Sequence, residues 1–85
     1  MASEFSLAIV SPDREVLDRM TTHVMLPGAS GYFGVFGGHE PILFALKAGE
    51  IEYMDGPLRK SLMISGGFAE VTPTRVTVLA DSITG

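Results

Sequence analysis

The stretch that decides the fold is GYFGVFGGHEPILFALKAGEI, residues 31–51, which places apolar runs on both sides of a glycine-rich corner. Glycines at 37–38 tolerate positive φ angles that residues with a Cβ resist, so the backbone can reverse sharply between the runs. We expect this reversal to bring Phe33 and Val35 near Ile42 and Phe44. The rest of the chain is then predicted to form sheet around the corner.

The N-terminal third predicts two strands. Apolar side chains alternate with a period of two from Phe5 to Val10, and a turn at Ser11-Pro12-Asp13 closes this first strand. The run from Glu15 to Leu26 has apolar spacing that also fits a helix, but its β-branched threonines favour one long strand. We expect that strand to carry a bulge near Asp18.

The remaining chain alternates between turn signals and short apolar runs, which is typical of an antiparallel β-sandwich or barrel. The predicted strands are 32–36, 42–46, 50–54, 58–65, 68–72 and 75–80, separated by turns at 27–31, 47–49, 55–57, 66–67 and 73–74. A chain of 85 residues is one domain, and its hairpins are most simply arranged as two sheets face to face.

Two side-chain predictions follow from this arrangement. Phe68 follows the glycine pair at 66–67, and we expect it to drop into the core. Other strands carry apolar residues on both faces, as where Met63 lies between Leu62 and Ile64. An isolated sandwich needs only one apolar face per sheet, so the excess predicts a surface covered by another chain or segment.

Composition excludes several classes of function. The chain has no cysteine, which removes disulfides, thiolate zinc sites and cysteine nucleophiles. Its formal net charge is −4 and its six basic residues are scattered, which argues against a nucleic-acid partner. No run approaches the roughly 18 apolar residues of a membrane span.

Catalytic or metal chemistry is not indicated. The only histidines are His23 and His39, far apart in the chain and outside any spacing typical of metal ligands. We expect His23 to be a half-exposed strand residue. His39 lies on the glycine corner, where it can cap the turn or contact a partner. The sequence therefore predicts no catalytic residue, cofactor site or metal site.

Five linked motifs closely resemble the epsilon subunit of F-type ATP synthases. They are LPG (26–28), GVFGGHEPIL (34–43), LKAG (46–49), SGGFAEV (65–71) and VTVLAD (76–81). The resemblance runs in order from about Phe5 to Asp81. It implies that residues 1–85 form the ten-stranded β-sandwich that is the N-terminal domain of this family.

The resemblance also implies a function. Family members are non-catalytic subunits of the central stalk, where they link the gamma subunit to the c-ring. They turn as part of the rotor and couple proton-driven rotation to ATP synthesis in the catalytic alpha/beta head. This implies a peripheral position on the cytoplasmic face of the bacterial inner membrane, or the equivalent side of another energy-coupling membrane.

Two groups of residues acquire expected roles by resemblance. The first is a loop facing the c-ring, formed by Gly28, Ala29, Ser30, Gly31 and Tyr32. The second is a corner near gamma and the ring, formed by Gly38, His39 and Glu40. The family often has an acidic residue at the position of Tyr32 and a proline at that of Gly37.

The family usually continues into two C-terminal helices that restrain ATP hydrolysis. Because this sequence stops at Gly85, the expectation is that such inhibition, and an ATP site in those helices, are absent. Two alternatives stay open. One is a free-standing β-sandwich that binds a small ligand on Tyr32, Phe33 and Phe36. The other is a regulator of the ATPase head that does not reside in the rotor.

Overall fold

The described part of the chain, residues 4–36 and 41–84 of a computed structural model, is built from eight β-strands and contains no helix. The strands are β1 (Phe5–Ser11), β2 (Arg14–Thr21), β3 (His23–Gly28), β4 (Gly31–Phe36), β5 (Ile42–Asp55), β6 (Leu58–Val71), β7 (Arg75–Ala80) and β8 (Ile83–Thr84).

The strands form a hydrogen-bonded path in the order β2-β1-β7-β6-β5-β3-β4, with β8 paired to β6. The two 14-residue strands β5 and β6 pair along their whole length and run through both layers of the fold. Residues 42–47 of β5 and 66–71 of β6 continue the layer of β7, β1 and β2. Their other halves continue the layer of β3, β4 and β8. The predicted two-sheet β-sandwich is confirmed.

A single apolar core fills the space between the layers. Alternation along each strand sends every second side chain inward, and the fully covered side chains include Leu7, Ile9, Leu26, Ile51 and Val78. Burying a side chain of this size stabilises the fold by roughly 1.5–3 kcal/mol relative to leaving it in water. No cysteine is present to supplement this packing.

The long strands explain why residues 4–36 and 41–84 form eight strands where about ten were expected. Turns predicted at 47–49 and 66–67 are wrong, because β5 and β6 keep one register through both segments. The strands instead change which face they bury. Leu46 and Ile51 are both buried, although they occupy even and odd positions of β5 and so lie on opposite faces of that strand. Each long strand therefore contributes one segment to each layer, where two separate short strands were expected.

Gly67 makes the passage of β6 between layers possible. Its φ is 145°, a region that residues with a Cβ rarely enter. A Cβ at this position would also collide with the backbone carbonyl of Leu79 on β7. The glycine is therefore required both for its backbone angle and for the close approach of two strands.

The single strand predicted for residues 15–26 is wrong in its extent. The chain forms two strands, β2 and β3, with a bend at Thr22 between them. The Thr21 hydroxyl lies 2.8 Å from the Met54 carbonyl oxygen, to which it donates, and this contact holds the chain as it passes to the other layer. The bulge predicted near Asp18 lies instead at Val16, which has no partner in β1. Ile9 pairs with Leu17 and Val10 pairs with Glu15.

Two further expectations need correction. Phe68 is 51% exposed, because the parity change at 66–67 turns its side chain outward and places Ala69 in the core. The sandwich is also not wholly antiparallel. β1 pairs with β7 in parallel, with Ser6 opposite Arg75 and Val10 opposite Leu79.

Candidate functional site

The segment expected to face a ring of partner loops is the tip of the β3–β4 hairpin. Gly28 ends β3, Ala29 and Ser30 form a two-residue turn, and Gly31 begins β4, which confirms the predicted hairpin connection. The turn residues are exposed, whereas Gly28 is buried. A Cβ on Gly28 would lie 2.8 Å from the Phe33 ring, so this position packs the hairpin and does not present a side chain.

A groove separates this hairpin from the beginning of β5. It has a volume of about 440 Å³ and is lined by residues 28–33 and 43–45. Its apolar character comes from Phe33 and Phe44, whose ring centroids lie 4.4 Å apart, and from Leu43, which is 64% exposed. We call this feature the hairpin groove. The predicted approach of Phe33 to Phe44 is confirmed, although β3 lies between β4 and β5 in the sheet order. The predicted approach of Val35 to Ile42 is wrong, because Val35 pairs with Val24, which pairs with Tyr53 near the other end of β5.

Three polar contacts add to the Phe33–Phe44 contact between the hairpin and β5. The Ala29 N–H donates to the Ala45 carbonyl at 3.0 Å. The Glu50 N–H donates to the Tyr32 hydroxyl at 2.9 Å. The Lys47 ammonium lies 5.9 Å from the centroid of the Tyr32 ring, within the range of a cation–π interaction.

The expected corner of Gly38, His39 and Glu40 lies outside the described residues, and so does Gly37. Its position relative to the hairpin therefore stays a prediction.

The three aromatic residues suggested as a ligand platform do not form one surface. Phe33 packs against Phe44. Phe36 instead contacts the His23 ring, with centroids 5.5 Å apart. Tyr32 directs its hydroxyl to the backbone of β5. His23 is half-buried in its strand, as predicted.

A second surface, which sequence reasoning did not locate, crosses the outer face of four strands. Val10 is the register partner of Leu79, Leu79 of Phe68, and Phe68 of Ala45. Leu79 and Phe68 are each about half exposed, at 52% and 51%. We call these four residues the apolar row. The sequence did carry a signal for this surface, since β7 has Val76 and Val78 on one face and Leu79 on the other. The signal was not recognised as a row because Phe68 was expected in the core.

The apolar row has open space at one end and the hairpin groove near the other. A hollow of about 260 Å³ lies between Val10 and Leu79 and the β1–β2 turn. Ala45 lines the hairpin groove as well as ending the row. The two surfaces are therefore continuous across the layer that contains β1, β7 and parts of β6 and β5.

Acidic side chains are held by neighbouring groups at the β5–β6 turn and at the β1–β2 turn. The Asp55 carboxylate pairs with Lys60 at 2.8 Å and also with Arg19 of β2. The hydrogen bond from Lys60, aided by the Arg19 charge, holds the pKa of Asp55 below its usual range. At the β1–β2 turn, the Ser11 hydroxyl donates to Asp13 at 2.8 Å and lowers the pKa of that carboxyl.

Within residues 4–36 and 41–84, no group of three or more histidine, cysteine or acidic side chains is placed to hold a metal ion. The same residues include no helix that could span a membrane.

Comparison with known proteins places this sandwich in a family. Residues 4–85 match the model of the ATP synthase Delta/Epsilon chain, beta-sandwich domain. The ATP synthase epsilon chain of Granulibacter bethesdensis is 45% identical over 80 residues, which are 93% of this chain and 59% of that relative. The epsilon chain of Desulforapulum autotrophicum is 45% identical over 83 residues, which are 96% of this chain and 62% of that one.

Solved structures agree on the fold. A chain in the Euglena gracilis mitochondrial ATP synthase, in a structure of OSCP, F1 and the c-ring, superposes with a TM-score of 0.89 at 24% identity, over 99% of this chain and 54% of that one. A chain in the central stalk and c-ring structure of the Tetrahymena thermophila mitochondrial ATP synthase gives 0.77 at 9% identity, over 96% of this chain and 66% of that one.

The fold and its contacts therefore define a small β-sandwich with a braced hairpin and an exposed apolar row. The chain belongs to the family of ATP synthase delta and epsilon chains, through their β-sandwich domain. It spans about three fifths of the length of the curated relatives that it matches.

Proposed function

We propose that this chain is a non-catalytic rotor subunit in the central stalk of a proton-translocating F-type ATP synthase. In this role it joins the gamma subunit to the c-ring and couples ring rotation to ATP synthesis in the alpha/beta head. It acts from a peripheral position on the cytoplasmic face of the bacterial inner membrane. Membership of the ATP synthase delta and epsilon family supports this proposal.

The observation that carries the proposal is the apolar row on the outside of a well-packed sandwich. A domain that worked alone would expose Phe68 and Leu79 to water without benefit, because contiguous apolar surface typically marks an interface. An outer sheet face also suits torque transfer, since burying it fixes a partner across several strands. We assign the apolar row to gamma.

The c-ring is assigned to the hairpin tip, because Ala29 and Ser30 are exposed at the turn of the segment that the family resemblance points to, and Tyr32 of the same segment is also exposed. The bonds from Ala29 and Glu50 restrain this tip, so force on it reaches β5 directly. The corner of Gly38, His39 and Glu40 is proposed to lie near both partners.

The gamma assignment is tested by co-purifying this chain with the gamma subunit and measuring the complex by size exclusion at low and high salt. We expect a stoichiometric complex that survives high salt, because an apolar interface is not screened by ions. Phe68→Glu should abolish it. Met63→Glu is the matched control, since Met63 is 48% exposed on the outer face of the other layer. Equal loss in both variants, or no complex with folded wild-type chain, would refute the assignment.

The c-ring assignment has its own test. A double substitution of Ala29→Asp and Ser30→Asp should reduce co-sedimentation with the detergent-purified c-ring while leaving gamma binding unchanged. The turn residues are exposed, so the change should not disturb the core. Loss of gamma binding with ring binding retained would reverse the two assignments.

A further inference from the structure

The hairpin is held to β5 by an interrupted ladder. Along β3 and β5, Met25 pairs with Glu52, and the next pair is Gly28 with Leu46, after a shift of register. Pro27 lies inside this interval and has no N–H to donate. The backbone therefore leaves a gap in the β3–β5 ladder beside the hairpin tip.

Tyr32 fills this gap with its side chain. Its hydroxyl accepts the N–H of Glu50, which lies in the unpaired interval of β5. Gly49 leaves the space that the hydroxyl occupies, because a Cβ there would lie 2.6 Å from the hydroxyl oxygen and 2.7 Å from the Pro27 Cβ. The Lys47 ammonium above the ring adds a further contact to the same strand.

We propose that Tyr32 is the positioning residue of the hairpin groove, since its hydroxyl replaces the missing ladder hydrogen bond and fixes the hairpin against β5. Gly49 is its complement, kept free of a side chain so that the hydroxyl can reach the Glu50 amide. The groove wall is thereby ordered before a partner arrives, which lowers the entropy cost of binding. The consequence for ring binding rests on the proposed function.

This role differs from that of a core residue. Tyr32 is 52% exposed, so its ring contributes less buried area than a core side chain. Removing only its hydroxyl should loosen the hairpin locally while the global transition stays in place. Local opening and global unfolding are separable by amide hydrogen exchange.

The test compares Tyr32→Phe with the wild-type chain by site-resolved hydrogen exchange. We expect the Glu50 amide to exchange about three- to tenfold faster, as loss of one hydrogen bond implies, with little change in Tm. Tyr53→Phe is the matched control, because none of the hydrogen bonds among the described residues uses the Tyr53 hydroxyl. Gly49→Ala should speed exchange at Glu50 as well, by displacing the Tyr32 hydroxyl.

Unchanged exchange at Glu50 in Tyr32→Phe, or an equal increase in Tyr53→Phe, would overturn the proposal. A second measurement follows dissociation from the detergent-purified c-ring, which should be faster for Tyr32→Phe than for Tyr53→Phe. Faster exchange with identical dissociation would overturn the role of Tyr32 in ring binding. If wild-type chain ignores the ring, the proposed function fails, while the exchange result still decides whether Tyr32 braces the hairpin.

Discussion

Val78 and Leu79 are neighbours in the sequence and have opposite environments in β7. Val78 is completely buried in the core, whereas Leu79 is 52% exposed in the apolar row. Strand alternation alone accounts for the difference, since successive side chains point to opposite faces. The pair therefore separates effects on folding from effects on binding.

We expect Val78→Asp to destabilise the chain by about 3–5 kcal/mol, because it buries a carboxylate with no partner. Leu79→Asp should change the free energy of unfolding by no more than about 0.5 kcal/mol, as most surface substitutions do. Urea denaturation of both variants measures the two values. Similar losses in both would show that β7 is not oriented as described.

Asp55 should contribute a pH-dependent part of stability. Its pKa is lowered in the folded state by the hydrogen bond from Lys60 and the charge of Arg19. Stability from the carboxylate is therefore complete above its unfolded pKa of about 3.9 and is lost as the pH falls through the lowered folded value. The difference in urea midpoint between wild type and Asp55→Asn should shrink as the pH falls below about 4.

The control for this titration is Asp18→Asn. Asp18 is exposed on β2 and forms no ion pair within the described segments. A pH profile altered equally by both substitutions would argue against a specific role of the Asp55 cluster.

At the scale of whole strands, local sequence patterns predicted some strands and turns correctly and failed for others. The alternation from Phe5 to Val10 and the two-residue turn at Ala29 were predictable, because both depend on neighbours in sequence. The segment around Gly49 was not, since its glycine makes room for Tyr32, a residue 17 positions earlier. Composition cannot distinguish a glycine that turns the chain from one that accommodates a distant side chain.

The outward position of Phe68 was hidden for a related reason. Successive side chains of a regular strand alternate between its two faces. The positive φ angles at Gly66 and Gly67 interrupt this alternation, so the residues after them bury the opposite set of positions. The candidate site was therefore only partly predictable. The hairpin tip came from resemblance to a family, whereas the apolar row required the register of four strands.

The glycines of the long hairpin offer a direct test of strand geometry. Gly56, with φ 62°, has open space around a Cβ, whereas a Cβ on Gly67 meets the backbone of β7. Gly56→Ala should cost about 1–2 kcal/mol from its backbone angle alone. Gly67→Ala should cost more, because β7 must also move. Thermal unfolding gives the comparison, and a smaller loss at Gly67 would contradict the close approach of β6 and β7.

At the scale of the whole molecule, the net charge and the apolar row have opposite effects on self-association. The chain carries a formal net charge of −4, which repels copies of itself, and the apolar row, which attracts them. Salt screens the repulsion over about 10 Å at 0.1 M and leaves the apolar attraction in place. The balance between the two forces should therefore depend on ionic strength.

We expect the isolated chain to self-associate weakly, and more strongly as salt is added. Phe68→Glu should keep it monomeric by placing a charge in the row, while Met63→Glu should not. Sedimentation equilibrium at two salt concentrations measures this. A wild-type chain that stays monomeric at high salt, or equal behaviour of the variants, would contradict it.

The parallel pairing of β1 with β7 has a consequence for folding during synthesis on the ribosome. Ser6 pairs with Arg75, so β1 cannot form this pairing until the chain has been synthesised through β7. Synthesis at about 5–20 residues per second makes that wait several seconds. Throughout it, Phe5, Leu7 and Ile9 have only β2 beside them and no completed core above. A nascent chain stalled before residue 75 should therefore bind chaperones and be cleaved by proteases. Once β7 has emerged from the ribosome, the domain should resist proteolysis and no longer bind chaperones.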